Sequence, residues 1–180
     1  MHVTFIKGPG RRYRIDVTRT PDPAAAMHVA PGFDEFLPYD LARFVIEREF
    51  GLRLGIFGQL AAGGDAGTFW CAPAVRTARL AQRAHRLRVA GRGDLSRSEQ
   101  LTAACLAAWE ITTGRRTASD PWPVRALHDC AIAAPERVAA AVRILDDVSA
   151  SWQALGEGQC MRLEWPTELT LCRTTRLRSA

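Results

Sequence analysis

Two β-patterned stretches at opposite ends of the chain constrain its fold more than any other feature. Near the N-terminus, Val3 and Phe5 alternate with Thr4 and Ile6. Tyr13, Ile15 and Val17 then alternate with Arg12, Arg14 and Asp16, and Gly8-Pro9-Gly10 supplies the turn between the two runs. At the other end Met161, Leu163 and Trp165 alternate, Pro166-Thr167 turns, and Leu169 and Leu171 alternate again. A lone two-stranded hairpin is marginal in water. The simplest solution is one antiparallel sheet of about four strands, built from both hairpins, with the intervening helices on one face. That is an α+β fold in a single domain spanning residues 1–180.

The middle of the chain carries the helices. Pro38 opens a helix over residues 38–50, because its missing N–H costs nothing in a first turn. Asp40 there favours the positive end of the helix dipole, and Gly51 suits the C-terminal cap. Leu41, Phe44, Val45 and Ile46 form its apolar stripe. The periodicity gives a second helix over 74–89 after Pro73. Ser96 and Glu99 have capping-box spacing and open a third, running to about Thr113. Pro135 starts a fourth that runs to about Leu155, and residues 123–131 form a short helical segment between them. Residues 20–35, with Pro21, Pro23 and Pro31, read as an irregular connection ending at Phe33, Asp34 and Glu35.

At 180 residues the chain can bury a core without staples. No apolar run approaches the ~18 residues of a membrane span. The N-terminus lacks the pattern of a signal peptide, so the expected location is cytoplasmic. Cys71, Cys105, Cys130, Cys160 and Cys172 are scattered, with no CxxC pair, and read as small buried hydrophobes. The net charge of +5 suggests an anionic partner. Lys7 is the only lysine, however, and an arginine bias of this kind arises from genome composition without any such purpose.

The polar residues that stand out lie on the first helix. Tyr39, Arg43 and Glu47 recur every four residues, and Asp40 is three from Arg43. All can share one side of the helix. There Asp40 or Glu47 would serve as general base or acid, Arg43 would hold an anion and Tyr39 would donate a hydrogen bond. The opposing reading is a solvated face on which Arg43 pairs with the two carboxylates for about 0.2–0.5 kcal/mol each. Six glycines follow, Gly51, Gly55, Gly58, Gly63, Gly64 and Gly67, set among Leu52, Leu54, Ile56, Phe57 and Leu60. This is buried irregular chain or a short helix with tight turns. Gly58, Gly63 and Gly64 are candidates to present backbone N–H groups to a ligand. Glycines required for close packing are the competing explanation. No P-loop or dinucleotide fingerprint is present.

The run Leu37-Pro38-Tyr39-Asp40-Leu41-Ala42-Arg43-Phe44-Val45-Ile46-Glu47, followed by Gly51, Gly55, Gly58, Gly63 and Gly64, resembles a group of uncharacterised small bacterial proteins. Their helix reads roughly LPHDLxHxxxE, and the resemblance covers residues 32–67. Histidines one turn apart, with the glutamate, would resemble a helical metal site. Here Tyr39 and Arg43 stand in place of both, so neither a metal nor another cofactor is expected. The resemblance implies that this helix and the glycine region carry function.

Three function classes follow. The first is a small-molecule binder or cofactor-independent enzyme, with a polar pocket on helix 38–50 and a small anionic or polar ligand. The second is a non-catalytic module that binds a protein partner. The third is nucleic-acid binding through Arg76, Arg79, Arg83, Arg86 and Arg88 of helix 74–89. These arginines equally describe a solvated face, and no nucleic-acid module accompanies them. His85 reads as a surface residue. His128-Asp129-Cys130 is compact, but neighbouring residues point apart on a helix. Trp109, Trp152 and Trp165 read as core, whereas Trp70 and Trp122 sit where they would line a pocket or cover the core.

Overall fold

The computed structural model describes residues 1–30, 36–71, 77–117 and 134–171. Four strands, β1 (His2–Lys7), β2 (Tyr13–Thr18), β3 (Ala25–Ala30) and β4 (Cys160–Glu164), form one antiparallel sheet in the order β3-β2-β1-β4. Among the described residues five α-helices complete an α+β fold: α1 (Tyr39–Glu49), α2 (Ile56–Ala61), α3 (Ala78–Ala90), α4 (Arg92–Thr112) and α5 (Pro135–Gln153). The segment 123–131, His128-Asp129-Cys130, Trp122, Cys130, Cys172, the residues 33–35 and the start of helix 74–89 lie outside the described residues.

The N-terminal alternation sets the register. Val3 pairs with Val17 and Phe5 with Ile15, while Val3 and Phe5 face Leu163 and Met161 of β4 on the other side. Val3, Phe5, Tyr13, Ile15 and Val17 are all buried beneath the helices. Arg14 and Thr18 stay exposed on the opposite face, as period-two geometry requires. Lys7 ties the sheet to α5 by donating from Nζ to the carbonyls of Trp152 and Leu155, placing a cation at a helix C-terminus.

α1 is the central helix, packed against α2, α4 and α5. Its Phe44 sits edge-on to Phe57 at 5.0 Å, Trp165 at 5.7 Å and Phe5 at 6.3 Å, linking α1, α2, the chain after β4 and the sheet. Ring pairs at these separations add about 0.5–1.5 kcal/mol each beyond their buried area. Trp109, Trp152 and Trp165 are fully buried. Gly51 at φ +66° receives the chain beyond the helix end, and Leu52 N–H donates to the Glu47 carbonyl.

Four local expectations change. Ala25–Ala30, expected as irregular connection, is a strand on β2; pairing and burial outweigh the weak strand preference of alanine. At the C-terminal end, among the described residues, β4 alone joins the sheet, and Thr167–Leu169 is a 3-10 turn rather than the start of a second strand. α4 begins at Arg92, not at a capping box from Ser96. Gly91 ends α3 and caps α4 at once, with Asp94 in the new first turn accepting from Leu54 N–H at 2.8 Å. A β-carbon on Gly91 would meet the Gln59 amide and the Leu54 carbonyl at 2.6 Å, so the chain can pass there only as glycine. Cys105 is buried as expected, but Cys160 is exposed. No helix among the described residues is long and apolar enough to cross a membrane.

Candidate functional site

The polar residues of α1 separate into three environments. Tyr39 and Arg43, one turn apart, both reach Glu99 of α4. The Tyr39 hydroxyl donates to Glu99 Oε1 at 2.8 Å, and Arg43 Nη2 donates to Oε2. The Arg43 guanidinium also lies 4.9 Å from the Tyr39 ring. Burial, followed by the bond to Glu99, pushes the Tyr39 phenol up to about 12. Asp40 turns instead to the sheet and accepts from the Tyr13 hydroxyl at 2.6 Å. Burial, and then the Asp40 charge, raise the Tyr13 phenol.

Glu47 goes a third way. It is 0% exposed, and its carboxylate closes the N-terminus of α2. Oε1 accepts from Ile56 N–H at 2.8 Å and from Ser98 Oγ at 2.7 Å, and Oε2 accepts from Phe57 N–H at 2.8 Å. Two orphan amides of a helix start and one hydroxyl of α4 are thereby satisfied by a side chain of α1. Burial pushes the carboxyl up to about 7, while its three donors and Arg43 pull the other way. The group is enclosed, and its hydrogen bonds to Ile56, Phe57 and Ser98 tie α1 to α2 and α4.

The glycines divide as well. A β-carbon on Gly58 would stand 2.3 Å from the Arg53 carbonyl oxygen, so this glycine serves close packing of α2 on the preceding turn. Gly63 and Gly64 lie on the wall of a cavity of about 90 Å³. It is bounded by the Gly63–Cys71 segment on one side and on the other by Thr77, Leu80 and Ala84 at the start of α3. Phe69 and Trp70 complete the rim, and Trp70 is 60% exposed.

Arg19 forms the polar wall of that cavity. It is only 8% exposed. Its Nε donates to the Pro23 carbonyl at 2.7 Å, and Nη1 donates to the carbonyls of Leu60 at 2.7 Å and Gly64 at 2.6 Å. Nη2 lies 3.5 Å from Cys71 Sγ. Guanidinium carries five N–H donors. One Nη2 hydrogen therefore has no acceptor among the described residues. No carboxylate among them forms an ion pair with Arg19. A buried cation held by neutral carbonyls alone is costly.

The other charges nearby are matched. Behind Gly63, Arg83 pairs with Asp22 at 3.2 Å, and at the cavity wall Arg88 pairs with Asp65. Two arginines of α3 are thus committed to internal partners, while Arg79, Arg86 and His85 are exposed. Among the described residues, no group of three or more His, Cys, Asp or Glu side chains could hold a metal ion.

Of the residues singled out in the sequence, the structure brings Tyr39 together with Arg43, and Gly63 with Gly64. Glu47 feels the Arg43 charge but hydrogen-bonds to α2 and Ser98, Asp40 bonds to Tyr13, and Gly58 packs on the Arg53 carbonyl. Trp70 does line a cavity. Arg19 was missed, although a signal existed: Tyr13, Ile15 and Val17 point inward, and Arg19 continues the same alternation. Comparison with protein-family models, curated proteins and solved structures finds no match for this chain.

Proposed function

We propose that the protein binds a small anion in the cavity beside Arg19 and acts as a binding protein. The observation that carries this reading is the uncompensated charge of Arg19, buried on a cavity wall with one N–H to spare. A ligand anion there would supply the counter-charge that the described residues lack. The first turn of α3 adds the positive end of a helix dipole, with Thr77 as its cap. The expectation of an anion-binding arginine is kept, but its place moves from Arg43, which Glu99 already neutralises, to Arg19. The expectation of a general base on α1 is set aside in this reading, because Glu47 is enclosed and Asp40 accepts from Tyr13.

The test uses the Arg19 Nε–H resonance of uniformly ¹⁵N-labelled protein. Sodium benzoate, sodium acetate and inorganic phosphate are titrated in turn at constant ionic strength. At least one should shift the Arg19 signal saturably, leaving the Arg14 signal in place. No saturable shift with any of the three would overturn the proposal.

A further inference from the structure

We infer that the ligand is a small monocarboxylate carrying a compact apolar group, an aryl or branched carboxylate, rather than a phosphate. This rests on the reading of the Arg19 cavity as an anion site. Charge around the cavity favours a monoanion. Among the described residues, Arg19 and Asp65 are the charged side chains that line the cavity, and Arg88 pairs with Asp65 beside it, so two positive charges meet one negative one. The balance suits one negative charge. A phosphate dianion would leave an excess negative charge beside the Asp65 carboxylate, where like charges repel.

Few donors remain open on the cavity wall. Four of the five Arg19 N–H directions are engaged by Pro23, Leu60, Gly64 and the Cys71 sulfur. Several of the nearby loop amides are also taken. Gly63, Gly64 and Gly67 donate to Leu60, Gln59 and Asp65, and Phe69 and Trp70 donate to Asp65 and Ala26. A carboxylate can be held by one guanidinium N–H and the end of a helix. A phosphate calls for more donors than this wall leaves open.

The rest of the lining is largely apolar. Phe69, Leu80 and Ala84 are apolar, and the Trp70 ring stands at the mouth. These groups reward an apolar body behind the carboxylate. At about 90 Å³ the cavity admits the carboxylate end and part of a ring, with the remainder against Trp70.

Calorimetric titration of the intact chain tests the class. The ligands are benzoate, its neutral analogue benzyl alcohol, and inorganic phosphate, all at constant ionic strength. Benzoate should bind one to one, with the alcohol and phosphate each weaker by about tenfold or more. Two surface variants with the circular dichroism of the parent keep the test free of folding effects. Trp70→Ala should weaken benzoate about two- to tenfold, and Ala81→Leu, on an exposed residue of the cavity wall, should abolish binding. If phosphate binds as tightly as benzoate while shifting Arg19, the class is wrong but the anion site stands. If benzyl alcohol equals benzoate, the charge argument is wrong. If neither variant changes benzoate affinity, the ligand lies elsewhere and the inference fails. If no anion moves the Arg19 resonance, both readings fall together.

Discussion

The carboxylate of Glu47 occupies the space that a β-carbon on Gly55 would need. The Cβ position would fall 2.4 Å from both the Glu47 carboxyl carbon and Oε1, and 2.6 Å from Oε2. The glycine and the acid therefore form one unit. Gly55 lets the chain pass close enough for the next two amides to reach the carboxylate. Gly55→Ala should force these groups apart and destabilise the protein by about 1–3 kcal/mol, the usual range for overpacking. Urea unfolding of the variant checks this, and unchanged stability would remove the steric claim.

The same carboxylate gives a pH dependence of definite sign. Burial raises its folded-state pKa from 4.5 to about 7. Between these values the folded protein holds a proton that the unfolded chain releases. The contribution of Glu47 is therefore complete below about pH 4.5, falls as pH rises, and is fully lost above about pH 7. The range corresponds to about 3 kcal/mol at 1.36 kcal/mol per pH unit. Other carboxylates titrate too, so the quantity to follow is the stability difference between the parent and Glu47→Gln. That difference should shrink in favour of the variant from pH 4.5 to 7. A flat difference would mean that the three donors keep Glu47 ionised throughout.

Glu99 offers the contrasting case. It accepts from both Tyr39 and Arg43, yet its side chain is 62% exposed. Arg43 is only 16% exposed, but Glu99 stands in solvent, and screening there holds such a pair to about 1 kcal/mol. Glu99→Gln should cost no more than this in urea unfolding and should leave ligand binding at Arg19 unchanged. A loss of binding would return attention to the α1 stripe.

The elements that the sequence made legible are those whose pattern comes from a single strong periodicity. β1, β2, α1 and α5 follow directly from alternation or an apolar stripe bounded by Pro and Gly. Ala25–Ala30 was not legible, because an alanine-rich edge strand has little pattern of its own and depends on β2 for pairing. Ser96 and Glu99 have cap spacing, but Gly91 starts the helix earlier and leaves Glu99 free to meet α1. The site was hidden for a related reason. Helical spacing puts Tyr39, Asp40, Arg43 and Glu47 on adjoining surfaces without saying that three different elements would claim them. Arg19 was visible in the alternation of β2, but its lack of a carboxylate partner exists only in three dimensions.

Arg19 also has a structural role, which sets how its variants behave. Replacing it with methionine removes a donor from the Pro23, Leu60 and Gly64 carbonyls, of which Leu60 keeps the Gly63 N–H, at a cost of about 1–3 kcal/mol for each carbonyl left unpaired. Saturating benzoate should raise the melting temperature of the parent, since a ligand at about 100 times Kd adds about 2.7 kcal/mol. In Arg19→Met the same benzoate should produce no rise. An equal rise in the variant would place the ligand away from Arg19.

A ligand seated beside Arg19 has to disturb the amides around it, which chemical-shift mapping of the ¹⁵N-labelled protein during a benzoate titration reads out. Saturable shifts are expected at Gly63–Cys71 and Thr77–Ala84, with Tyr39–Glu47 undisturbed. Shifts centred on Tyr39, Asp40 and Arg43, or none at saturating benzoate, would contradict this placement.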